Sequence, residues 1–568
     1  MRRLITLLFF IGFGTSLLAG PAEPVVMEYT QPNGTVVHYY LHGDEHLNWM
    51  TDLSGSVIEI GSDGYVRPGT MPSEAAFRSA RGIRAENNAR PFRIQSSGTR
   101  RIIVVLVDYP DLAFSKTAES FNQFFNGNGA GSTGSVSDYF QDQSDGKFSP
   151  VFDIYGPVTL SNNRASYKDS PKTALGEAIG ILVNDGTLNL NDYISSSSGI
   201  FKYVDDVIMI FAGHSQASGD PDGIWPCSQS ASVYKVNDRL SVYGYCCGPE
   251  LQGASGDSMA GIGHICHEFG HRMGLPDFYD TKRSEHGDNV AEGCLDFSLM
   301  GHGSYNNYSK TPPPLSMVEK SICGWAQLES IPSITSSQSI TLHEIGQGAD
   351  KTRACSIPTD KEGEVFICEY RSKNASVNKW SNGLPRGGMI VYHMDRSDRE
   401  ITQDGTTHTA ADWWGEGKIN NNGSHPLFYL IPSGDQSNLK NSNQDLFPFP
   451  GSSNILTYNP VSWNNTASYV SLTGISYNAA NTSMSLKAHV RTFPLINNPG
   501  QGIYNAGNFT LKLSPGSEGN ATVSSWYLDG TLVESTEPRP RITLSAGTHI
   551  IEAVLSTGKK LRLDLTAQ

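Results

Sequence analysis

The segment from position 267 to 277 constrains this chain more than any other, and it reads HEFGHRMGLPD. His267 and His271 are four residues apart, so on a helix they lie on one face, one turn above each other. The residues before His267 are mostly apolar, which is typical of a helix in a protein core. Gly274 favours a left-handed helix stop and Pro276 cannot continue a helix. The sequence therefore predicts a buried helix that ends sharply.

The residue types in this segment are those that bind zinc. Two imidazoles on one helix face can both ligate one Zn²⁺, and Glu268 lies beside His267, where it can reach a metal-activated water without ligating. A turn after Gly274 can return Asp277 toward the same metal. Two imidazoles and one carboxylate leave a fourth position for water, as catalysis requires. This predicts a metal on His267, His271 and Asp277 with Glu268 as general base; the alternative is a pair of core histidines on an ordinary helix.

The motif and the residues around it resemble those of a known protein family. HExxHxxGxxD with an aspartate at the third position resembles the metzincin pattern, and HEFGHRMGLPDFYD is similar to the signature of the immune inhibitor A family of secreted zinc metallopeptidases. The resemblance implies that Met300, in Ser298-Leu299-Met300-Gly301, is the Met-turn residue and forms an apolar floor beneath the zinc site. It covers roughly residues 27 to 430 and includes the segments around Gln31-Pro32-Asn33-Gly34, Glu319-Lys320, Glu369-Tyr370-Arg371 and Leu384 to Met389.

Two departures from the family pattern leave alternatives open. Metzincins often place a Tyr two residues after the Met of the turn, where it can act as an oxyanion donor. This chain has His302 at that place, and the nearest tyrosine that could take the role is Tyr305. Glu292 and Asp296 form an E-x-x-x-D spacing downstream of the helix. In a thermolysin-like enzyme Glu292, not Asp277, would be the third zinc ligand.

The two ends of the chain predict export and a modular architecture. Met1-Arg2-Arg3, the apolar run to Ala19 and Gly20-Pro21-Ala22 have the charged start, apolar middle and small-residue end of a signal peptide. Later apolar runs are too short to span a membrane. The fold class predicted from the resemblance and the strand patterns is an α+β metzincin-like catalytic domain, a mixed sheet with an active-site helix, followed by all-β sandwich modules.

Composition and turn signals predict the domain boundaries. At about 150 residues per domain, 568 residues make three or four units. The predicted units are a signal peptide (1–22), a pro-region with an Arg-rich linker (23–98), the zinc metallopeptidase catalytic domain (99–330), a β-sandwich-like domain (331–490) and a small immunoglobulin-like β domain (491–568). The linker, with seven arginines between Arg78 and Arg101, is either a cleavage segment or an ordinary charged connector.

Charge and cysteine content narrow the classes of partner. The formal net charge is −14, and loss of Arg2 and Arg3 with the signal peptide makes it −16, which disfavours nucleic acid and anionic membranes as partners. Eight cysteines in an exported chain are compatible with disulfides, but their pairing cannot be read from spacing. Exported proteases of this kind often use Ca²⁺, and four loop carboxylates are candidate ligands: Asp205, Asp206, Asp220 and Asp222.

These observations predict a secreted, or periplasmic, zinc-dependent endopeptidase that hydrolyses peptide bonds in proteins. The first rival is an exported adhesion or binding protein whose metallopeptidase-like domain is inactive. The second is the thermolysin-like peptidase with Glu292 on the metal. Cleavage preference, natural substrate and oligomeric state have no signature in the sequence.

Overall fold

The computed structural model describes residues 16–18, 22–72 apart from 24 and 44–47, 94–281 apart from 199, 293–433 apart from 347, 349, 360 and 404, 448–490 apart from 452–453, 465–467, 469, 479 and 481, and 503–567 apart from 505–506, 512–521, 535–539, 557 and 559. The linker between Arg78 and Arg93 and the alternative zinc ligand Glu292 lie outside the described residues.

The amino-terminal strands form a meander. The strands are β1 (Ser16–Leu18), β2 (Met27–Thr30), β3 (Val36–Gly43), β4 (Asn48–Asp52), β5 (Val57–Ile60) and β6 (Val66–Pro68). Strands β2 to β6 pair in sequence order, each antiparallel to the next, as the alternation of apolar residues and turn signals predicts. Strand β1 is separate and pairs antiparallel with residues Ser228 to Ser230.

A mixed sheet forms the centre of the molecule. Its further strands are β7 (Gly98–Asp108), β8 (Phe148–Thr159), β9 (Ser196–Ser198), β10 (Phe201–Val204), β11 (Val207–Phe211), β12 (Cys227–Asn237) and β13 (Leu240–Pro249). The order is β1-β12-β13-β11-β7-β8, with β10 also paired to β13 and β9 paired to β10. Strands β8, β7, β11 and β13 run parallel, whereas β12 is antiparallel to β13. The predicted buried strands at 102–107 and 207–211 are therefore confirmed as β7 and β11.

Helices cover both faces of this sheet. The α-helices are α1 (Ala118–Asn126), α2 (Val136–Gln143), α3 (Pro171–Asn184), α4 (Gly263–Arg272), α5 (Met317–Ile322) and α6 (Ala410–Gly415). Along β7, Ile102 and Val104 pack in one core with α1, α2 and α4, while Ile103 and Val105 pack in a second core with α3. Because both faces of the strand are buried, its sequence is a continuous apolar run and not an alternating one.

In the carboxy-terminal part the regular secondary structure consists mostly of β-strands. These are β14 (Gln338–His343), β15 (Ala354–Pro358), β16 (Glu364–Arg371), β17 (Gly388–Asp395), β18 (Glu400–Gln403), β19 (Thr406–Thr409), β20 (Phe428–Leu430), β21 (Val470–Tyr477), β22 (Ser483–Val490), β23 (Ile503–Tyr504), β24 (Gly507–Thr510), β25 (Val523–Leu528), β26 (Thr531–Leu532), β27 (Arg541–Leu544), β28 (Gly547–Leu555) and β29 (Lys560–Ala567).

These strands assemble into several small sheets. Strands β15, β16, β17 and β20 form one sheet, β14, β22 and β21 a second, and β23, β29, β28, β25 and β26 a third. Two further pairs are β18 with β19 and β24 with β27. Mixed α/β structure followed by β modules agrees with the predicted fold class in outline. Within the described ranges, no helix has the length and apolarity to cross a membrane.

One hydrophobic core runs from the central sheet into the first β module, which is formed by strands β14 to β22. Phe269 of α4 and Met300 belong to the same cluster of buried residues as Trp380, Tyr392 of β17 and Phe428 of β20. The cluster therefore continues past position 330, where the sequence predicts a domain boundary. The first β module packs on the face of the central sheet that carries α1, α2 and α4.

Arg272, the last residue of α4, anchors the helix to the sheet. It is 2% exposed, and its guanidinium donates hydrogen bonds to Ser230 Oγ (2.8 Å) and to the Asp205 carbonyl oxygen (2.8 Å). Burial lowers the pKa of Arg272, and the negative charge of Asp206, which is buried nearby, opposes that fall. Gly244 of β13 lies against the guanidinium, and a Cβ there would be 2.1 Å from an Arg272 nitrogen.

Gly244→Ala tests this close approach. Gly244 has φ +97°, so the substitution adds backbone strain to the clash with Arg272, and we expect a loss of about 3 kcal/mol in the free energy of unfolding. The control is Gly253→Ala, at φ +69° with no heavy atom within 4 Å of the new Cβ, where strain alone costs about 1 kcal/mol. Denaturant unfolding of both variants gives the comparison. Equal losses would show that Arg272 does not occupy the space beside Gly244.

Asp206→Asn tests the buried carboxyl beside Arg272. Burial raises the pKa of Asp206 from 3.8 to about 6, so the folded chain holds this proton more tightly than the unfolded chain. The stability due to Asp206 is therefore full below about pH 4 and is lost as the pH rises through 6. We expect the free energy of unfolding of the wild type, relative to Asp206→Asn, to fall by up to about 3 kcal/mol between pH 4 and 7. A difference that stays constant over this range would contradict the prediction.

Candidate metal centre

Helix α4 is buried along its whole length and carries the two histidines of the motif. All ten residues of the helix are buried. Its amino end is held by a hydrogen bond from the Gly263 N–H to the Ser309 carbonyl (2.7 Å). Its carboxy end stops where the sequence predicts, because Gly274 adopts φ +93° and the Leu275 N–H turns back to the Gly270 carbonyl (3.1 Å).

The turn after α4 brings Asp277 to the two histidines. Asp277 Oδ1 lies 3.4 Å from His267 Nε2 and 3.5 Å from His271 Nε2. The two imidazole rings are nearly perpendicular, at 87°, with centroids 4.8 Å apart. The ligand atoms of all three residues lie within 4.8 Å of one another, and all three residues are buried. The structure therefore places together the three residues that the motif predicts as metal ligands.

Backbone carbonyls orient both imidazoles. His267 Nδ1 is 2.8 Å from the Leu299 carbonyl oxygen, and His271 Nδ1 is 2.8 Å from the Leu275 carbonyl oxygen. A carbonyl oxygen can only accept a hydrogen bond, so each Nδ1 carries the hydrogen and donates. In the neutral ring the lone pair is then on Nε2, the atom that faces Asp277. Metal-binding histidines typically donate their other ring N–H to a carbonyl or carboxylate oxygen in this way.

The geometry fits a metal ion better than a set of hydrogen bonds. Neutral Nε2 atoms and a carboxylate oxygen are all electron-pair donors, so at 3.4 and 3.5 Å they cannot satisfy one another. Among the described residues, His267 Nε2 and Asp277 Oδ1 are buried without a hydrogen-bond partner. Zinc–ligand bonds of 2.0–2.1 Å in a tetrahedron separate ligand atoms by about 3.3 Å, close to the distances observed. The donor set of two nitrogens and one oxygen suits zinc.

Met300 packs against α4, and hydrogen bonds fix the loop that contains it. Met300 is fully buried, and a Cβ added at Gly270 would be 3.1 Å from its sulfur, so the two residues are in close contact. The Met300 N–H donates to Ser298 Oγ (3.0 Å), and the Ser298 hydroxyl donates to Glu319 Oε1 (2.6 Å). The Phe278 N–H donates to the Met300 carbonyl (2.8 Å), which ties this loop to the turn that carries Asp277. Met300 therefore packs against the helix that carries the two histidines, and its role as the floor of a zinc site stays a prediction.

A pocket opens beside the helix on the side of Glu268. It is lined by Ala217, Trp225, Pro226, His264, His267, Glu268, Ser304 and Tyr305. Burial holds the pKa of Tyr305 well above its ordinary value, so its hydroxyl keeps its proton. His302 instead stacks on Tyr279, with centroids 6.4 Å apart. Tyr305 therefore lines the pocket, whereas His302 is not among the lining residues.

Two residues that line this pocket, Trp225 and Pro226, were not predicted from the sequence. Trp225 and Pro226 precede β12 and lie about 40 positions before the histidines, with no motif of their own. Glu23 also lies at the margin: its N–H donates to the Ala217 carbonyl (3.0 Å) and its carboxylate accepts from Gln252 (3.4 Å). Only the pairing of distant segments brings these groups to the site.

The four carboxylates named as candidate calcium ligands have other partners. Asp220 and Asp222 lie 2.6 and 3.7 Å from Arg164, and Asp206 lies 3.6 Å from Arg100. Asp205 accepts a hydrogen bond from the Ser195 hydroxyl (2.8 Å). Arg164 and Arg100 therefore pair with three of these four carboxylates, and Ca²⁺ at these positions stays a prediction.

Comparison with known sequences agrees with the geometry of the site. Residues 202–323 match the family described as immune inhibitor A peptidase M6, catalytic domain, and this segment contains α4 and Asp277. The chain is also similar to the pre-pro-metalloprotease PrtV of two Vibrio cholerae serotype O1 strains, M66-2 and ATCC 39315 / El Tor Inaba N16961, with 26% identity over 263 residues in each case. The aligned part spans 36% of this chain and 27% of the relative. These matches support a metallopeptidase, with residues 202–323 similar to the catalytic domain of the immune inhibitor A peptidase M6 family.

Proposed function

We propose that this protein is an exported, zinc-dependent endopeptidase with a metzincin-like catalytic domain. The observation that carries the proposal is the convergence of His267 Nε2, His271 Nε2 and Asp277 Oδ1 at 3.4–3.5 Å, next to a pocket that contains Glu268. The substrate class is protein or peptide, since the family match and the relatives' name both refer to peptidases.

Each residue of the site has a separate role in the proposed reaction. His267, His271 and Asp277 would hold the zinc ion, which when bound makes water more acidic and polarises the peptide carbonyl. Glu268 takes a proton from the attacking water and delivers it to the amine of the leaving fragment. Glu268 is 1% exposed, so bulk water does not compete for that proton. The buried Nδ1–carbonyl bonds of both histidines hold their rings in position while the proton moves.

The other parts of the chain extend this proposal. We propose that residues 1–22 direct export, that 23–98 form a pro-region and that 99–330 form the catalytic domain, followed by β modules at 331–490 and 491–568. The contact of Glu23 with Ala217, at the edge of the pocket, is consistent with a segment that precedes the mature enzyme. An inactive exported binding protein is the rival proposal, and the Glu268 experiment below separates the two.

Asp277→Asn tests the third ligand. The amide keeps the size of the side chain but removes the anionic oxygen. We expect zinc affinity to fall by more than about 100-fold, since loss of a group that only hydrogen-bonds to a ligand already costs about 10–100-fold. Competition with a chromogenic zinc chelator measures this affinity. The matched control is Asp257→Asn, an exposed loop residue, which should bind zinc as the wild type does. Retention of zinc by Asp277→Asn together with its loss in Glu292→Gln would assign the site to the thermolysin-like arrangement instead.

Glu268→Gln tests catalysis and export together. The exported wild type should start beyond residue 22 on amino-terminal sequencing and should cleave a denatured protein in a chelator-sensitive way. The variant should retain zinc but hydrolyse about 10²–10⁴-fold more slowly, because amide nitrogen cannot accept the proton. Glu119→Gln, on the exposed face of α1, is the control and should have wild-type activity. Zinc-loaded, processed wild type without hydrolysis would favour the binding protein.

A further inference from the structure

Two buried cysteines face each other across the strands that border the metal centre. Cys227 begins β12 and Cys247 lies near the end of β13, and they are directly opposite in the antiparallel register of these strands. Their sulfur atoms are 3.6 Å apart. We propose that Cys227 and Cys247 form a cross-strand disulfide in the exported protein.

The geometry allows the bond with little rearrangement. Opposed residues of an antiparallel pair have Cα atoms about 4.5–5.5 Å apart, within the range that a disulfide spans. From 3.6 Å the two sulfurs need to approach by about 1.5 Å to reach the S–S bond length of about 2.05 Å. Rotation of the side chains can supply this shift, and the backbone register already holds the two positions together.

The neighbouring cysteines do not share this arrangement. Cys246 is adjacent in sequence but is opposite Ser228 in the register, and it packs in the core cluster on the other face of the sheet. Cys227 and Cys247 both belong to the cluster on the α3 face. Strand alternation therefore assigns the pairing to Cys247 and not to Cys246. This is the information that spacing in the sequence lacks.

The bond would lie directly behind the pocket wall. Trp225 and Pro226 line the pocket and immediately precede Cys227. The Cys247 thiol is 3.8 Å from the Trp225 carbonyl oxygen, so the same two strands already meet at this point. A disulfide here would join the segment that contains Trp225 and Pro226 to β13. Strand β13 in turn pairs with β11 in the middle of the sheet.

The reaction needs a disulfide oxidant, either a disulfide-carrying oxidoreductase or oxidised glutathione. One cysteine thiolate attacks the oxidant, forms a mixed disulfide and releases one thiolate. The second cysteine thiolate then attacks the cysteine sulfur of the mixed disulfide and releases the other half of the oxidant. The two cysteines lose two protons and two electrons, which reduce the oxidant to two thiols. Cys227 and Cys247 are 2% and 0% exposed in the folded chain, so we infer that the bond forms during folding, before β12 and β13 close.

Peptide mapping of the full chain tests the proposal. The reduced, unfolded chain is refolded with oxidised and reduced glutathione, alkylated in denaturant without reductant, and digested with trypsin. Cys227 falls in peptide 203–235, and Cys246, Cys247 and Cys266 fall in peptide 240–272. We expect these two peptides to be linked, with a mass two hydrogens below their sum, and to separate on reduction. Exported wild-type protein should give the same linked pair, which keeps the test independent of refolding yield.

Single variants identify the cysteine in peptide 240–272. Cys247→Ala should abolish the link, while Cys246→Ala, its neighbour on the opposite face, should preserve it. Full alkylation of Cys227 in exported and refolded wild type would overturn the proposal, as would a link that survives in Cys247→Ala. Cys355 of β15 and Cys368 of β16 are also opposite each other in the strand register. The same peptide map shows separately whether these two cysteines are linked.

Discussion

Two hydrogen bonds from imidazole rings to backbone carbonyls hold the centre of this molecule in place. His267 bonds to the Leu299 carbonyl and His271 to the Leu275 carbonyl, each at 2.8 Å. One carbonyl belongs to the loop of Met300 and the other to the turn that leads to Asp277. The orientation of both rings therefore depends on two chain segments outside the helix, and a shift in either would rotate an imidazole away from Asp277.

Support for these segments comes from α5 and, through it, from the first β module. Glu319 at the start of α5 accepts the Ser298 hydroxyl, which in turn accepts the Met300 N–H. Glu369 of β16 accepts the Met317 N–H (2.8 Å) and pairs with the buried Arg371 (2.8 Å). Burial raises the pKa of both glutamates, and hydrogen bonds together with the charge of Arg371 oppose that rise. The segments around Glu319 and Glu369, which carry the family resemblance, thus brace the floor of the metal centre.

Much of the fold and the inner part of the site could be predicted from local sequence. The apolar run that became β7, the helix with a stop at Gly274 and the strands after position 330 follow from patterns of neighbouring residues. The convergence of His267, His271 and Asp277 needs only one helical turn and one tight turn. The pocket wall at Trp225, the contact of Glu23 and the partners of Asp206 were not predictable, because each depends on pairing between segments far apart in the chain.

The sequence by itself determined the chemistry: two imidazoles, a carboxylate and a neighbouring glutamate at spacings that a helix and a turn convert into one site. Local hydrogen bonding and steric limits on Gly and Pro are sufficient for that step. Only the tertiary structure decided which carbonyls orient the rings, where the pocket opens, and that Cys247, not Cys246, is opposite Cys227. Strand register and the packing of two β-sheet faces result from the whole core at once, and no local pattern encodes them.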